Sequence, residues 1–364
     1  MTPGRDATRI RDFQLVHGPK SLPIRFESLY VAALGDRLCV VGLDETRHVQ
    51  SLRGDSRGDA VGVAMPLPFI EVTGIASCAG NLVVAGVTPS NRADVLRVAL
   101  DGEVEWHGEL PPGQFQQWPR PFSVADVAWL LSITRLPTAA MHLIELTGEG
   151  FGISRSLAFA DDTDGIDLLG ESTSVLLARV HGDGRRLELV RIASGQIISR
   201  IEVEAARPVA PSLSRVNDRI ALAWVTEPGE PRLQWFDAEL EPLAPSEVLR
   251  VPIQQGVVRR VQLMATDNEL AVLLHSESVV GDAEVVHQPD GTIVRHEPRR
   301  TLRLSLAAYD SEAYRLGPCT LVDADSKVWA ACWMGSKLVV VHRGCETLLS
   351  AFELHERNVS ECPA

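Results

Sequence analysis

The stretch that decides the fold is residues 72–110, which read VTGIASCAGNLVVAGVTPSNRADVLRVALDGEVEWHGEL. It contains four short apolar or alternating runs, separated by Ala-Gly, by TPSNRA and by LDGE. Alternation over a few residues between turn signals predicts β-strands. Asp101-Gly102 is a strong hairpin signal because its turn requires positive φ. Four antiparallel strands in sequence are typical of one blade of a β-propeller.

Near-copies of the second run in this stretch recur along the whole chain. Their first apolar residues are Leu38, Leu82, Val127, Val175, Ile220, Leu270 and Leu338. Successive spacings are 44 to 50 residues, except for 68 before the last. A period of about 40–50 residues is typical of propellers. The rhythm therefore predicts seven repeats of one unit.

The sequence predicts an all-β fold, a seven-bladed propeller of four-stranded antiparallel blades in one domain over residues 1–364. The predicted blades are 26–67, 69–110, 114–159, 163–204, 206–250, 254–316 and 318–354. The last range supplies three strands, so we expect residues 8–17 to be its outer strand. That addition closes the ring and removes an open sheet edge. Residues 278–300 are predicted to be a hairpin insertion in blade six.

Composition and charge narrow the classes of partner. The net charge is −13, whereas a protein that binds nucleic acid through phosphates needs a basic face. No apolar run reaches the roughly 18 residues of a membrane helix, and the N-terminus lacks the apolar core of a signal peptide. We therefore expect no nucleic acid, no membrane and a cytoplasmic location.

The cysteines agree with a cytoplasmic location, and the scarcity of lysine indicates the kind of genome. The six cysteines show no CxxC spacing and fall partly in strand-like runs, which favours reduced, buried thiols over a disulfide or zinc framework. Only three of the 35 basic residues are lysines, a bias typical of a GC-rich bacterial genome.

The segment RVALDGEVEWHGEL (97–110) carries a resemblance to a known superfold. It resembles the repeats of quinoprotein-like and YVTN-type propellers, within the wider WD40-like group, where an Asp/Thr-Gly turn precedes a strand ending in Trp. The repeat rhythm of the whole chain shares the resemblance, but only Trp106 occupies the Trp position. There is no WD dipeptide, kelch Gly-Gly pair or Asp-box. The resemblance implies the superfold and no particular family, and it does not imply a quinone.

Propellers hold ligands over the central channel, on the loops that lead into each innermost strand. By this analogy of fold, the sequence places a mixed set of charged residues and one Trp at the channel. The candidate ligand-binding residues are Glu27, Glu71, Trp118, Arg120, Arg207, Arg259, Arg260 and Asp323. Trp118 is expected in a loop. None of these positions identifies a catalytic residue.

Two kinds of ligand fit the candidates. Asp164 and Asp167 in ADDTDGIDLLGE (160–171), together with Asp325, are candidate ligands of calcium or magnesium, which prefer oxygen donors. The alternative for this segment is a solvated acidic turn. The arginines at 207, 259 and 260 are candidates to clamp a carboxylate or phosphate, or else they pair with the neighbouring carboxylates.

The predicted insertion has its own candidates. A tight turn at Asp290-Gly291 would place His287 and His296 on one hairpin face, where a zinc or copper ion could bind. The alternative is two unconnected surface histidines. Arg299 and Arg300 add a basic patch. Insertions are where repeat proteins place function, so we expect a recognition arm or a lid, with a solvated ornament as the alternative.

No catalytic motif accompanies these residues. The sequence has no G-x-S-x-G elbow, no glycine-rich phosphate loop and no H-E-x-x-H. The leading hypothesis is a binding or scaffold propeller that engages a protein or small-molecule partner through ring-face loops. The alternative is a metal-assisted hydrolase, lyase or isomerase that acts on a small anionic metabolite in the central funnel.

Overall fold

The structure is a computed structural model of the chain. It describes residues 9–55, 57, 59, 64–110, 117–134, 140–158, 163–250, 256–266, 268–280, 284–287, 293–296, 299–310, 315–323 and 325–358. Every regular element in this part of the chain is a β-strand. None of the described residues forms a helix long and apolar enough to span a bilayer.

The strands form seven antiparallel blades in a ring, as the sequence predicted. The strand that precedes the first blade is β1 (Arg9–Ser21). Blade one contains β2 (Phe26–Leu34), β3 (Arg37–Asp44), β4 (Val49–Gly54) and β5 (Met65–Pro66). Blade two contains β6 (Glu71–Cys78), β7 (Asn81–Val87), β8 (Ala93–Val98) and β9 (Val104–Glu109). Blade three contains β10 (Gln117–Val124), β11 (Val127–Thr134), β12 (Ala140–Leu146) and β13 (Phe151–Ala158).

The remaining blades follow in chain order. Blade four contains β14 (Thr163–Gly170), β15 (Ser174–His181), β16 (Leu187–Ala193) and β17 (Gln196–Val203). Blade five contains β18 (Pro208–Val216), β19 (Arg219–Thr226), β20 (Pro231–Phe236) and β21 (Glu247–Val248). Blade six contains β22 (Val257–Ala265), β23 (Leu270–Val280), β26 (Arg299–Asp310), β27 (Arg315–Leu316) and β28 (Thr320–Asp323). A separate hairpin of β24 (Glu284–His287) and β25 (Ile293–His296) lies between β23 and β26.

Blade seven closes the ring. It contains β29 (Val328–Met334), β30 (Lys337–Arg343) and β31 (Thr347–Asn358), and β1 pairs antiparallel with β31 as its outer strand. The register runs from Arg9 opposite Asn358 to Ser21 opposite Leu348. The prediction that the N-terminal strand completes the last blade is therefore confirmed. The pairing extends further than the expected residues 8–17.

The core is divided among the seven interfaces between neighbouring blades. Each of the seven hydrophobic clusters joins two adjacent blades. Trp224, which is fully buried, packs between blades four and five. The second strand of each blade is covered on both faces, so β15 is buried at all eight positions. This explains why these strands read as continuous apolar runs rather than alternating ones.

Arginines fasten several blades to the next one. Arg53, Arg97 and Arg191 lie on the third strands of blades one, two and four. Each guanidinium donates to a backbone carbonyl oxygen in the turn between the third and fourth strands of the following blade, at 2.6, 2.9 and 2.6 Å. A fork of five N–H donors suits this role better than an ammonium does. Some of the many arginines therefore have a structural role, which is to link one blade to the next.

Two details differ from the sequence prediction. β28 pairs with β26 and so belongs to blade six, although residue 318 was expected to begin blade seven. Trp118 lies in β10 rather than in a loop, because residues 117–124 already pair with β11. The five cysteines in the described part of the chain are free, in agreement with reduced thiols.

Candidate functional site

The central channel is a polar cavity enclosed by the inner strands of the blades. Its volume is about 800 Å³, which is large enough for a small ligand. All seven inner strands contribute to its lining, from Tyr30 on β2 to Trp333 on β29. The charged residues in the lining are Arg120, Asp167 and Arg260.

β-Bulges shape the start of six of the seven inner strands. Each bulge adds one residue that lacks a partner on the second strand, and bulges often re-aim side chains next to binding sites. The register shifts fall at residues 26/28, 72/74, 117/120, 163/165, 209/212 and 258/260. The predicted candidates Glu27, Trp118, Asp164 and Arg259 all lie within these bulges. The side chains of Trp118 and Asp164 are outside the described part of the structure.

The bulges put Arg120 and Arg260 at equivalent positions. Arg120 is the first paired residue after the bulge of β10 and Arg260 is the first after the bulge of β22. Blades three and six stand three apart on a ring of seven, so the two arginines enter the channel from nearly opposite sides. Arg120 Nη1 donates to the carbonyl oxygen of Ile166 at 2.9 Å. The Arg260 guanidinium carbon lies 4.9 Å from the ring centre of Trp329, a cation–π contact.

The electrostatics of the channel reflect its enclosure. Arg260 is exposed to solvent within the channel, and its partial enclosure by the ring lowers its pKa; Asp167 opposes the shift and Arg120 adds to it. Burial raises the pKa of Asp167 despite hydrogen bonds from the backbone, including one from the Leu213 N–H at 2.6 Å. Burial also raises the pKa of Tyr30, which keeps its hydroxyl a proton donor at neutral pH.

Among the described residues, the candidate carboxylates do not form one cluster. Glu27 lies 3.9 Å from Arg47, Glu71 is exposed, and Asp323 Oδ2 lies 2.8 Å from His342 Nδ1. Asp325 contributes its backbone N–H to Asp323 Oδ1 at 3.0 Å. Among the side chains that the structure describes, no three His, Cys, Asp or Glu residues lie close enough together to share a metal ion.

The three arginines predicted to clamp an anion lie at different places in the structure. Arg207 pairs with Glu227 on the ring face, where both line a separate surface depression with Asp183. Arg259 Nε binds Glu277 Oε2 at 2.8 Å. Of the three arginines, only Arg260 lines the channel. The second arginine that lines the channel is Arg120.

Blade six carries an extension above the face where the inner strands begin. β23 and β26 pair over eleven residues, from Leu270 opposite Tyr309 to Val280 opposite Arg299. The equivalent strands of the other blades pair over six or seven. Four additional pairs lengthen the ribbon by about 14 Å. We call residues 276–303, which include the β24–β25 hairpin, the arm.

The register of the hairpin contradicts the histidine pair. His287 lies opposite Ile293 and His296 opposite Glu284. Since opposed positions share a face and successive positions alternate, the two histidine positions fall on opposite faces. The predicted turn at Asp290-Gly291 lies outside the residues that the structure describes. The side chains of His287, His296 and Arg299 lie outside the described part.

The root of the arm is fixed to the ring by ion pairs. Glu277 Oε1 lies 3.1 Å from Arg300 Nη1, and Oε2 lies 2.8 Å from Arg259 Nε. The hydrogen bond from Arg259 lowers the pKa of Glu277. One carboxylate thus joins the third strand of blade six to the bulge of its inner strand.

Sequence reasoning missed three residues around Arg260. Tyr30 lines the channel, Trp329 lies beneath the Arg260 guanidinium, and His275 Nε2 lies 2.9 Å from the carbonyl oxygen of Ser326. Burial lowers the pKa of His275. No motif marked these residues. The available signal was the position of Tyr30 within the first inner strand.

Comparisons with known proteins agree with the fold. No family model matches the chain, and no curated protein does. Among solved structures, the β-propeller domain of Cps50 (Swd1) from Myceliophteria thermophila is 12% identical with a TM-score of 0.57, covering 94% of this chain and 99% of that one. BBS1N, solved in complex with ARL6DN in mercury-soaked crystals, is 14% identical with a TM-score of 0.53, covering 94% of both chains. At these identities the likeness establishes the seven-bladed propeller fold.

Proposed function

We propose that this chain is a protein-binding propeller that engages its partner with the arm and the adjoining ring face. The observation that carries the proposal is the eleven-residue pairing of β23 with β26, since the second and third strands of the other described blades pair over six or seven residues. A ring needs no such ribbon to close or to fill its core. Its added length is directed away from the ring, toward solvent.

The arm has the properties of a recognition element. Its root is held by the Arg259–Glu277–Arg300 ion pairs, so little conformational freedom would be lost on binding. Val279 is 61% exposed, and the outer edges of a two-stranded ribbon offer backbone groups for pairing with another chain. BBS1N, a propeller of the same fold, was solved with a protein partner. These points together support a protein ligand.

A site-specific photo-cross-linker tests the proposal. We would incorporate benzoylphenylalanine at Val279 on the arm and, as the matched control, at Ile198 on β17 of blade four, which is 58% exposed. Both variants would be illuminated in cells of the source organism and the adducts identified by mass spectrometry. We expect one defined protein adduct from position 279 and none of that protein from position 198.

Removal of the arm is the second readout. Joining residue 275 to residue 304 by an Asn-Gly turn keeps the first six pairs of β23 with β26 and deletes the extension. We expect the shortened protein to fold and to lose the partner found by cross-linking. Equal recovery of that partner by the shortened and intact proteins would refute the role of the arm.

A further inference from the structure

Arg120 and Arg260 are the two cationic groups of the channel lining, and Asp167 is the carboxylate of the lining on which both act. Neither forms an ion pair with a carboxylate among the side chains that the structure describes, whereas Arg259 beside one of them binds Glu277 at 2.8 Å. Asp167 lines the same channel, yet its Oδ2 accepts the Leu213 N–H. The channel therefore contains two guanidiniums and one carboxylate in an enclosed space.

Each guanidinium is positioned by a contact with a group other than a carboxylate. Arg120 donates to the carbonyl oxygen of Ile166, and Arg260 lies against the face of Trp329. Both contacts leave further N–H groups of each guanidinium for another acceptor, because a guanidinium has five donors. A group that sits between them would meet donors from two sides, and it would relieve their mutual repulsion.

We propose that the central channel binds an oxyanion, a carboxylate or phosphate group, between Arg120 and Arg260. Guanidinium forks match the geometry of both groups. Tyr30, whose hydroxyl stays protonated, supplies a further donor on the wall. The volume of about 800 Å³ admits a small molecule that carries such a group, or the acidic side chain of an inserted peptide.

The proposal adds a second site to the protein, independent of the arm. The arm rises from β23 and β26 above the ring face, whereas the channel residues lie on the inner strands. Anion binding is measured on the purified chain with no partner present. The arm-shortened protein should keep it, so failure of either proposal leaves the other standing.

The experiment is isothermal titration at constant ionic strength with three probes: inorganic phosphate, succinate, and an acetylated tetraglutamate peptide. We expect saturable binding of at least one. Arg120→Gln and Arg260→Gln should each weaken that binding at least tenfold, because each removes one charged fork. Arg259→Gln and Arg207→Gln, which remove arginines that are already paired, should change it less than twofold.

The three probes of the titration distinguish the sources of the oxyanion. Binding of phosphate or succinate assigns the site to a small free anion, and binding of the peptide alone assigns it to an acidic segment of a polypeptide. If Arg260→Gln fails to fold, Arg260→Lys keeps the charge without the fork and should weaken binding severalfold. No saturable binding of any probe, or equal losses in the Arg259 and Arg260 variants, would overturn the proposal.

Discussion

Glu188 is a buried carboxylate of blade four that lies beside three basic side chains. Its side chain is 5% exposed and its oxygens lie 2.8 Å from Arg179 Nε, 2.9 Å from Arg200 Nε and 3.0 Å from His181 Nε2. Arg179 is 1% exposed. In Glu188→Gln the volume is conserved, but the buried Arg179 and the neighbouring Arg200 lose the negative charge that this carboxylate supplies. Breaking a buried pair in this way costs about 3–5 kcal/mol.

The cost converts into a measurable shift of melting temperature. At about 2.1 cal/mol/K per residue, the unfolding entropy of a 364-residue chain is about 0.76 kcal/mol/K. A loss of about 3–5 kcal/mol therefore lowers Tm by about 4–7 °C. The control is Glu227→Gln, which breaks the Arg207 pair with side chains 61% and 69% exposed. An exposed pair contributes at most about 1 kcal/mol, so that Tm should fall by about 1 °C or less.

The assay is thermal unfolding followed by circular dichroism for the two variants and the wild type. A Glu188→Gln shift that is no larger than the Glu227→Gln shift would refute the reasoning. It would mean that the loss of the Glu188 charge is tolerated in this cluster.

The pH dependence of the same cluster has a defined sign. Burial alone would raise the pKa of Glu188, but hydrogen bonds from Arg179 and Arg200 lower it below its ordinary value of 4.5. A lowered carboxylate pKa stabilises the fold above pH 4.5, and this contribution is lost as the pH falls through the folded-state pKa. We expect the Tm difference between wild type and Glu188→Gln to be full at pH 6 and to shrink below pH 4.5. A difference that grows on acidification would contradict the assignment.

Two further predictions concern ring closure and close packing. Deleting residues 1–21 removes β1 and leaves β31 as an open edge, so we expect light scattering to detect oligomers larger than the full chain forms. Deleting residues 1–8, which precede β1, is the control and should leave the oligomeric state of the full chain unchanged. In Gly86→Ala the new Cβ would lie 2.6 Å from a ring carbon of Phe69, and we expect a loss of about 1–3 kcal/mol in urea unfolding. Gly148→Ala, whose Cβ has no neighbour closer than 3.9 Å, is its control, and equal losses would contradict the packing argument.

The blades could be predicted because each one carries its own local signals. Turn residues such as Asp101-Gly102 and the apolar run Leu82–Val87 recur with a period, so one repeat suffices to interpret the rest. Even the outer strand of blade seven followed from counting, since one blade lacked a strand that the N-terminus could supply. The place of β28 in blade six was not predicted, because it is a fifth strand and the repeat unit has four.

The channel could be predicted only in part. The position of Arg260 at the start of an inner strand was visible, but its separation from Arg259 depends on a bulge that no residue type announces. One extra residue decides that Arg259 pairs with Glu277 while Arg260 lines the channel. In the same way, no residue type announces the register that places His287 opposite Ile293 and His296 opposite Glu284. Register is a long-range property, and a one-residue slip exchanges the faces of a strand.

The pairing of β1 with β31 sets the order of events during synthesis. Arg9 pairs with Asn358, so β1 leaves the ribosome long before β31 and has no partner until nearly all of the intervening chain has followed. At about 5–20 residues per second this delay is roughly 17–70 seconds. Six blades can assemble in that time, while β1 must stay soluble and unpaired. Its charged residues Arg9, Arg11 and Asp12 suit a strand that waits in water, and any product that stops before β31 is left with a ring that cannot close.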